Sequence, residues 1–230
     1  MSIYVTGDTH GRFERFSNKS WPGGRSFTED DIVIVAGDFG LLWSSAPDEQ
    51  ELYWRKWLTS KPWTLLAVDG NHENHPRLNS LPRVPMYGGT VGVIDRNIFH
   101  LRRGEIYTIQ GKKFFTFGGA NSIDKATRIM GVSWWPEEIP SYAETEYGLT
   151  NLEKHQYSVD YIISHTAPQE ACDALLKKYG VPADDPDPTR TYLQHVCSTT
   201  NFKELYCGHW HEEWVYGRFR FLCSSIVRIV

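Results

Sequence analysis

Seven side chains of metal-binding types occur in short polar clusters, and each cluster follows a run of apolar, β-prone residues. They are Asp8, His10, Asp38, Asn71, His165, His209 and His211. Carboxylate, amide and imidazole ligands without thiolate suit Mn, Fe, Zn or Co better than Ca or an iron–sulfur cluster. A single tetrahedral metal needs only four ligands, so seven indicate two metals that share a carboxylate. Two such metals can clamp the attacking and leaving oxygens of a displacement reaction.

The spacing of the clusters suggests how strands deliver these ligands. Asp8 and His10 are two residues apart after an apolar segment, and His209 and His211 repeat that spacing. Residues i and i+2 of an extended chain point the same way, so one metal can take both side chains of such a pair. Glycines beside the ligands allow sharp turns and close backbone approach. Ligands at the carboxyl ends of strands match the usual site of open α/β sheets.

Composition limits the classes of protein that fit. The chain has 230 residues, a net charge of -4 and no long Lys/Arg run. These features argue against non-specific nucleic-acid binding, but they are compatible with a nucleotide substrate. Its four cysteines form no C-x-x-C motif, so we expect buried, reduced thiols. No apolar stretch reaches the ~20 residues of a membrane span. A strand follows directly after Met1 and Ser2, so we expect no signal peptide, no membrane association and a cytoplasmic location.

Alternating strands and a helix in the first third predict α/β layers. The predicted strands cover Ile3–Thr6, Asp31–Ala36 and Trp63–Val68, and the helix covers Pro47–Ser60. The middle of the chain predicts short strands with tight turns. These are Val91–Ile94, Ile98–Leu101, Ile106–Gln110 and Phe114–Phe117.

The second half predicts helices and a β-rich end. Residues 121–140 are poor in regular signals and predict an irregular loop near the active site. A helix over Ser141–Gln156 begins with a possible capping box of Ser141 and Glu144. The remaining predictions are a strand at Tyr161–Ile163, helices over Pro168–Lys178 and Pro188–Ser198 with the loop Asp184–Pro188 between them, and strands within Leu205–Val230. No repeat or linker is visible, so we expect one domain over residues 1–230.

The ordered clusters resemble the signature of the calcineurin-like metallophosphoesterase superfamily. That signature runs Asp-x-His, Gly-Asp, Gly-Asn-His-(Asp/Glu), a lone His and Gly-His-x-His. This chain has Gly7-Asp8-Thr9-His10-Gly11, Gly37-Asp38, Gly70-Asn71-His72-Glu73, Ser164-His165 and Gly208-His209-Trp210-His211. The resemblance spans residues 7 to 211. It implies a four-layer αββα sandwich of two mixed β-sheets flanked by helices.

The resemblance also implies residue roles. Asp8, His10, Asp38 and His211 resemble the ligands of a first metal. Asp38, Asn71, His165 and His209 resemble those of a second, with Asp38 bridging. His72 would stabilise the phosphate and protonate the leaving oxygen, and Glu73 would orient His72. The implied activity is hydrolysis of phosphate esters through metal-bound hydroxide, with two divalent ions, Mn first and Fe, Zn, Co or Ni as alternatives.

The subfamily stays open at this level. The second motif reads Gly37-Asp38-Phe39-Gly40 and lacks the further Asp-Arg of protein phosphatases, which weakens a Ser/Thr protein phosphatase assignment. We expect a phosphodiesterase or phosphatase acting on a phosphorylated small molecule or nucleotide. A nuclease acting on DNA or RNA ends is the alternative. A non-catalytic binding or scaffold protein on the same fold is an alternative of another class.

Several residues near the motifs are candidates for substrate binding. Arg12 could reach a substrate phosphate, and His75 and Arg77 could line the pocket. The 121–140 loop also contains polar and aromatic candidates, of which the tryptophan pair could stack on a base or sugar. These are Asn121, Arg128, Trp134 and Trp135. For Arg12, His75 and Arg77 an ordinary surface role is favoured, and for the tryptophan pair packing under the loop is favoured.

Overall fold

Two mixed β-sheets flanked by helices make up the computed structural model, which describes residues 1–182 and 187–230. The strands are β1 (Ile3–Thr6), β2 (Ile32–Val35), β3 (Thr64–Ala67), β4 (Arg83–Met86), β5 (Gly89–Asp95), β6 (Ile98–Leu101), β7 (Ile106–Ile109), β8 (Lys112–Phe117), β9 (Tyr161–Ser164), β10 (Glu204–Cys207), β11 (Trp214–Tyr216), β12 (Phe219–Phe221) and β13 (Ile226–Arg228). The helices are α1 (Glu49–Thr59), α2 (His75–Asn79), α3 (Tyr142–Lys154), α4 (Gln169–Lys178) and α5 (Pro188–Thr199). This architecture confirms the predicted αββα sandwich.

Both sheets have a parallel centre and antiparallel edges. The first has the order β13-β1-β2-β3-β6-β5-β4, in which β1, β2, β3 and β6 are parallel. The second has the order β11-β12-β10-β9-β8-β7, in which β12, β10, β9 and β8 are parallel. Parallel strands place their carboxyl ends at one edge, so successive loops of each sheet meet there.

The side chains of β2 show the layering. Ile32 and Ile34 pack in the core between the two sheets, whereas Val33 and Val35 pack in a second core on the outer face of the first sheet. A third core lies outside the second sheet, where helices α4 and α5 contribute Leu175 and other apolar residues. A strand covered on both faces needs apolar residues at every position, which explains the unbroken Ile-Val-Ile-Val sequence of β2.

Helix α1 starts at a different residue from the one predicted, because a capping residue fixes its first turn. Helix α1 begins two residues after Pro47, because the Asp48 carboxylate accepts a 2.8 Å hydrogen bond from the backbone N–H of Glu51. The capping box of Ser141 and Glu144 is confirmed at the start of α3. The predicted loop Asp184–Pro188 falls largely on residues 183–186, which lie outside the described residues. Asp187 caps helix α5.

Two elements were not predicted, the short helix α2 and the edge strand β4. The expected irregular loop at 121–140 contains two single 3₁₀ turns, Lys125–Thr127 and Pro136–Glu138. The four cysteines are thiols, of which three are buried and Cys223 is half-buried, as expected. In the part of the chain that the structure describes, no helix is long and apolar enough to cross a membrane.

Candidate metal centre

The ends of five strands deliver the seven predicted ligands to one place. In the first sheet, Asp8, Asp38 and Asn71 follow strands β1, β2 and β3, which are neighbours. In the second sheet, His165 follows β9, and His209 and His211 follow the adjacent β10. The centre therefore lies at the carboxyl ends of the parallel strands of both sheets.

One group of ligand atoms consists of Asp8, His10 and His211. Nε2 of His211 lies 3.0 Å from Oδ2 of Asp8 and 3.0 Å from Nε2 of His10. Nε2 of His10 lies 3.6 Å from the same Asp8 oxygen. These three side chains are close enough to hold a metal ion together.

A second group forms around the amide oxygen of Asn71. That oxygen lies 2.9 Å from Nε2 of His165 and 3.0 Å from Nδ1 of His209. Oδ1 of Asp38 lies 3.3 Å from Nε2 of His165. Each group thus combines ligands from both sheets.

Asp38 lies between the two groups. Its Oδ1 faces His165, and its Oδ2 lies 3.8 Å from Nδ1 of His10. The backbone N–H of His72 donates a 2.7 Å hydrogen bond to Oδ1 and fixes the carboxylate. Asp8 also approaches the second group, and Asp8, Asp38 and His165 form another set that could hold an ion.

The hydrogen bonds around these atoms leave acceptors facing acceptors, which suits a bound cation. Nδ1 of His165 lies 2.9 Å from the carbonyl of Ala36, and a bond donated there leaves a lone pair on Nε2. The amide nitrogen of Asn71 donates to Oγ of Ser122 at 3.0 Å, which turns its oxygen toward His165. Oδ2 of Asp8 is buried and, within the described residues, lacks a hydrogen bond of good geometry, although Nε2 of His211 lies 3.0 Å from it. Such a donor set fits a metal ion, because a cation offsets the repulsion between converging lone pairs.

Buried charge favours a cation in the same place. Burial alone would raise the pKa of Asp38, but His165, His72 and His10 hold it well below its usual range. Burial alone would lower the pKa of His165, but Asp38 and Asp8 raise it to about 10, so without a metal ion this ring holds a proton that a bound cation would replace. The two carboxylates therefore attract positive charge to the centre of the site.

Backbone conformation, not extended chain, orients the paired ligands. His10, Asp38, His209 and His211 have φ angles of 47°, 46°, 66° and 52°. These left-handed conformations are uncommon for non-glycine residues and cluster at functional sites. The turn sends His209 to Asn71 and His211 to Asp8 and His10, so the spacing of two residues does not place these two side chains in one ligand group.

Two glycines leave room for the ligands. At Gly37, with φ +89°, a Cβ would lie 2.1 Å from Nδ1 of His165. At Gly70 a Cβ would lie 2.0 Å from Oδ1 of Asp38. Any side chain at either position would displace a predicted ligand, which accounts for glycine in the second and third motifs.

His72 lies beside the two groups and belongs to neither. Its ring centroid is 5.4 Å from that of His10, and its Nε2 is 3.5 Å from Nη2 of Arg128. Burial lowers the pKa of His72, and Arg128 lowers it further against the opposing effect of Asp38. The 121–140 loop thus reaches the site through Arg128.

Glu73 makes different contacts from those expected. Its Oε1 accepts a 2.6 Å hydrogen bond from the backbone N–H of Phe39 and a longer one from Gly40. Burial and the nearby Asp38 carboxylate raise its pKa well above the usual value. The hydrogen bonds of Glu73 therefore hold the loop that carries Asp38, rather than the ring of His72.

The structure does not bring the three weaker cationic candidates to the centre. Arg12 is exposed. His75 is buried beside Asp69, where burial lowers its pKa to about 4. Arg77 makes a bidentate ion pair with Glu51, with N–O distances of 2.6 and 2.9 Å.

Trp135 has the packing role that the sequence favoured for it, and the rings beside the cavity come from elsewhere. Trp135 is only 4% exposed and packs edge-on against Trp43, with ring centroids 5.6 Å apart. Asn121 and Trp134 likewise do not line the cavity beside His72, whereas Trp43 and Trp54 do. No local sequence signal marked these two tryptophans as site residues. Trp43 lies in the segment before α1, and Trp54 lies within α1, where an apolar residue is expected on the buried face.

Arg15 is a further residue that the motifs did not indicate. Its guanidinium donates to backbone carbonyls at Gly7, Asp8 and Cys223. These bonds link the loop after β1 to the segment before β13. They therefore help to fix the backbone that carries Asp8. No sequence pattern marks Arg15 as a residue that contacts the site.

Comparison with known families places this geometry in a class. The model of the family described as calcineurin-like phosphoesterase matches residues 1–213, and the chain belongs to that family. The family is one of metal-dependent phosphoester hydrolases, although its members can be non-catalytic. A comparison with curated proteins gave no significant match.

Proposed function

We propose that this protein hydrolyses phosphate esters of small molecules or nucleotides with the help of two divalent metal ions. The observation that carries the proposal is the convergence of seven ligand side chains from both sheets, with acceptor atoms 2.9 to 3.3 Å apart at Asn71, His165 and Asp38. A scaffold protein has no need to retain a buried, charged cluster of this kind, since its desolvation is costly.

The two groups suggest how the ions would be held. Asp8, His10 and His211 would hold the first, and Asn71, His165 and His209 the second. Asp38 would contribute to both, because each of its oxygens faces a different group. We propose Mn²⁺ first, since mixed oxygen and imidazole ligands without thiolate suit it. Divalent ions here would supply Lewis-acid chemistry, in which water becomes a nucleophile near neutral pH and developing oxyanion charge is offset.

The chain's own residues would position the substrate and handle the proton. His72 lines the cavity beside the ligand groups. We assign it to proton donation to the leaving oxygen, a role that typically contributes ~10²–10⁴-fold in rate. Arg128 is the neighbouring cation, and we assign it to binding a phosphoryl oxygen.

Metal analysis and turnover together test the proposal. Purified protein should bind about two equivalents of Mn²⁺ and hydrolyse bis-p-nitrophenyl phosphate only when Mn²⁺ is present. His72→Ala should keep the metal and lose ~10²–10⁴-fold in kcat. Asp38→Asn should lose occupancy at both sites. His195→Ala, an exposed histidine on α5, is the matched control and should behave like the wild type.

Three results would overturn parts of this assignment. Protein without metal or turnover would favour the scaffold alternative. Normal metal occupancy in Asp38→Asn would remove its bridging role. Loss of metal in His72→Ala would make that residue a ligand rather than a proton donor.

A further inference from the structure

A cavity of about 420 Å³ opens beside the metal centre. One wall contains polar groups of the site, namely His10, His72 and Arg128. Another wall is apolar and is formed by Phe13, Leu41, Trp43 and Trp54. The volume is within the usual range for pockets that bind small organic ligands. If the phosphoryl group of a substrate lay at His72 and Arg128, the organic part of that substrate would therefore lie next to the aromatic rings.

Both tryptophans of the aromatic wall are partly uncovered, and each packs against a buried ring. Trp43 is half-buried and is held by the edge-on contact with buried Trp135. Trp54 is also half-buried and packs edge-on against Phe13, with ring centroids 5.5 Å apart. Indole rings fixed in this way offer a face to a ligand at little cost in conformational entropy.

Charge around the cavity indicates a neutral arm. Arg128 is a cation on its wall, whereas Asp48 and Glu51 contribute carboxylates from the start of α1. The charge of Glu51 is offset by Arg77, and Asp48 is the capping residue of the helix. A second phosphate at this end would meet the Asp48 carboxylate, so an uncharged group fits better.

We propose that this aromatic wall is a subsite for the planar aromatic arm of the phosphoester substrate, a nucleobase in the first place. The inference rests on the proposed hydrolase function and names its substrate class as nucleoside or aryl phosphoesters with one phosphate. Stacking of a base on an aromatic side chain is worth roughly tenfold or more in affinity.

The test compares ligands that share one phosphate and differ in the arm. Adenosine 5′-monophosphate and ribose 5-phosphate carry the same phosphorylated primary oxygen, and only the first has a base. Their inhibition constants against Mn²⁺-dependent hydrolysis of bis-p-nitrophenyl phosphate should differ about tenfold in favour of the nucleotide. Phenyl phosphate separates a general aromatic preference from a nucleobase preference.

Variants locate the preference on the wall. Trp43→Leu should reduce the nucleotide-to-sugar ratio to below about threefold, and Trp43→Phe should restore most of it. Trp21→Leu is the matched control, because Trp21 is a half-buried tryptophan that packs elsewhere, against Tyr4 and Phe27. Metal content should be equal in all four proteins.

The outcomes separate this subsite from the hydrolase assignment. Absence of any Mn²⁺-dependent hydrolysis would sink both. Hydrolysis with equal inhibition by the nucleotide and the sugar phosphate would overturn the subsite alone. So would a preference that Trp43→Leu leaves unchanged. A preference for phenyl phosphate over the nucleotide would support an aryl arm and reject the nucleobase.

Discussion

Arg128 shows how one residue of an irregular loop can be fixed for a task. Its Nε and Nη2 donate to the two carboxylate oxygens of Asp124 at 2.7 and 2.6 Å, and Nη1 donates to the carbonyl of Ser133 at 3.1 Å. The same Nη2 remains 3.5 Å from Nε2 of His72. A guanidinium held on one side keeps its other side available for a phosphate oxygen.

Replacing Arg128 should therefore weaken substrate binding without affecting the metals. We expect Arg128→Gln to raise KM for bis-p-nitrophenyl phosphate by roughly ten- to a hundredfold, since a hydrogen bond to a charged group is worth ~1.5–3 kcal/mol. Asp124→Asn should have a smaller effect in the same direction, because it loosens the guanidinium and leaves its charge. Steady-state kinetics on protein of known metal content measures both.

Arg12→Gln is the control for this prediction. Arg12 is exposed, and it is not among the residues of the cavity wall. Its replacement should leave KM within about twofold of the wild type, because an exposed charge outside the cavity is largely screened by salt. If the Arg12 substitution raised KM more than the Arg128 substitution, Arg12 rather than Arg128 would be the residue that binds the phosphate.

Among the elements, the predictable ones were those with strong local patterns. Strands β2 and β3 are almost wholly apolar, and the Ser141 and Glu144 pair marks the start of α3. Helix α2 has five residues, too few to show a 3.6-residue period. Strand β4 contains Pro85, which argues against a strand except at a sheet edge, where β4 lies.

The candidate site was predictable in its ligand types and order but not in its surroundings. The chemistry of Asp8 or His165 is visible in the side chain itself. The meeting of Trp43, His72 and Arg128 depends on contacts between distant segments, for which a sequence carries no local signal. The turn at His209 depends on a single φ angle, which the spacing of two residues does not encode.

The segment after β6 links the first sheet to the 121–140 loop. Arg103 is buried and donates from Nε and Nη2 to Oδ2 of Asp69, at 2.9 and 2.6 Å. Nη2 also donates to the carbonyl of Glu137 at 2.9 Å. One buried cation thus joins the end of β3 to the 3₁₀ turn of the loop.

Removing this cation should destabilise the fold strongly. We expect Arg103→Met to lower the free energy of unfolding by ~3–5 kcal/mol, because the buried Asp69 carboxylate loses its guanidinium partner and is left with the longer 3.4 Å contact to His100. Urea denaturation measures the loss. Arg55→Met is the matched control: its ion pair with Asp95 is about one-third exposed and should contribute less than about 1 kcal/mol. Equal losses in the two variants would show that the Arg103 pair has no special structural role.

For the whole molecule, each proposed metal group depends on both sheets. The first combines Asp8 and His10 with His211, and the second combines Asp38 and Asn71 with the two remaining histidines. Neither sheet alone contains a complete group. A bound ion would consequently link the two inner layers of the sandwich and favour the folded state over the unfolded chain.

Metal should therefore raise the melting temperature, and ligands on either sheet should be needed for the rise. At a free Mn²⁺ concentration of 100 Kd, the expected stabilisation is ~2.7 kcal/mol for each bound ion, which corresponds to about 5–10 °C per ion for a chain of this size. Chelation should reverse it. Calorimetry with and without Mn²⁺ should show that Asp8→Asn and His165→Asn each lose at least half of the shift, because Asp8 belongs to the first ligand group and His165 to the second.

The comparison within each variant matters, because either substitution also changes the stability of the metal-free protein. Asp8→Asn removes one buried carboxylate and His165→Asn a fully buried imidazole, so the metal-free melting temperatures will differ. The change in melting temperature on adding Mn²⁺, measured within each variant, is independent of that difference. His195→Ala should retain the full shift, since it changes only an exposed side chain on α5. A shift that survives in both Asp8→Asn and His165→Asn would mean that Mn²⁺ stabilises the protein from somewhere other than the junction of the sheets.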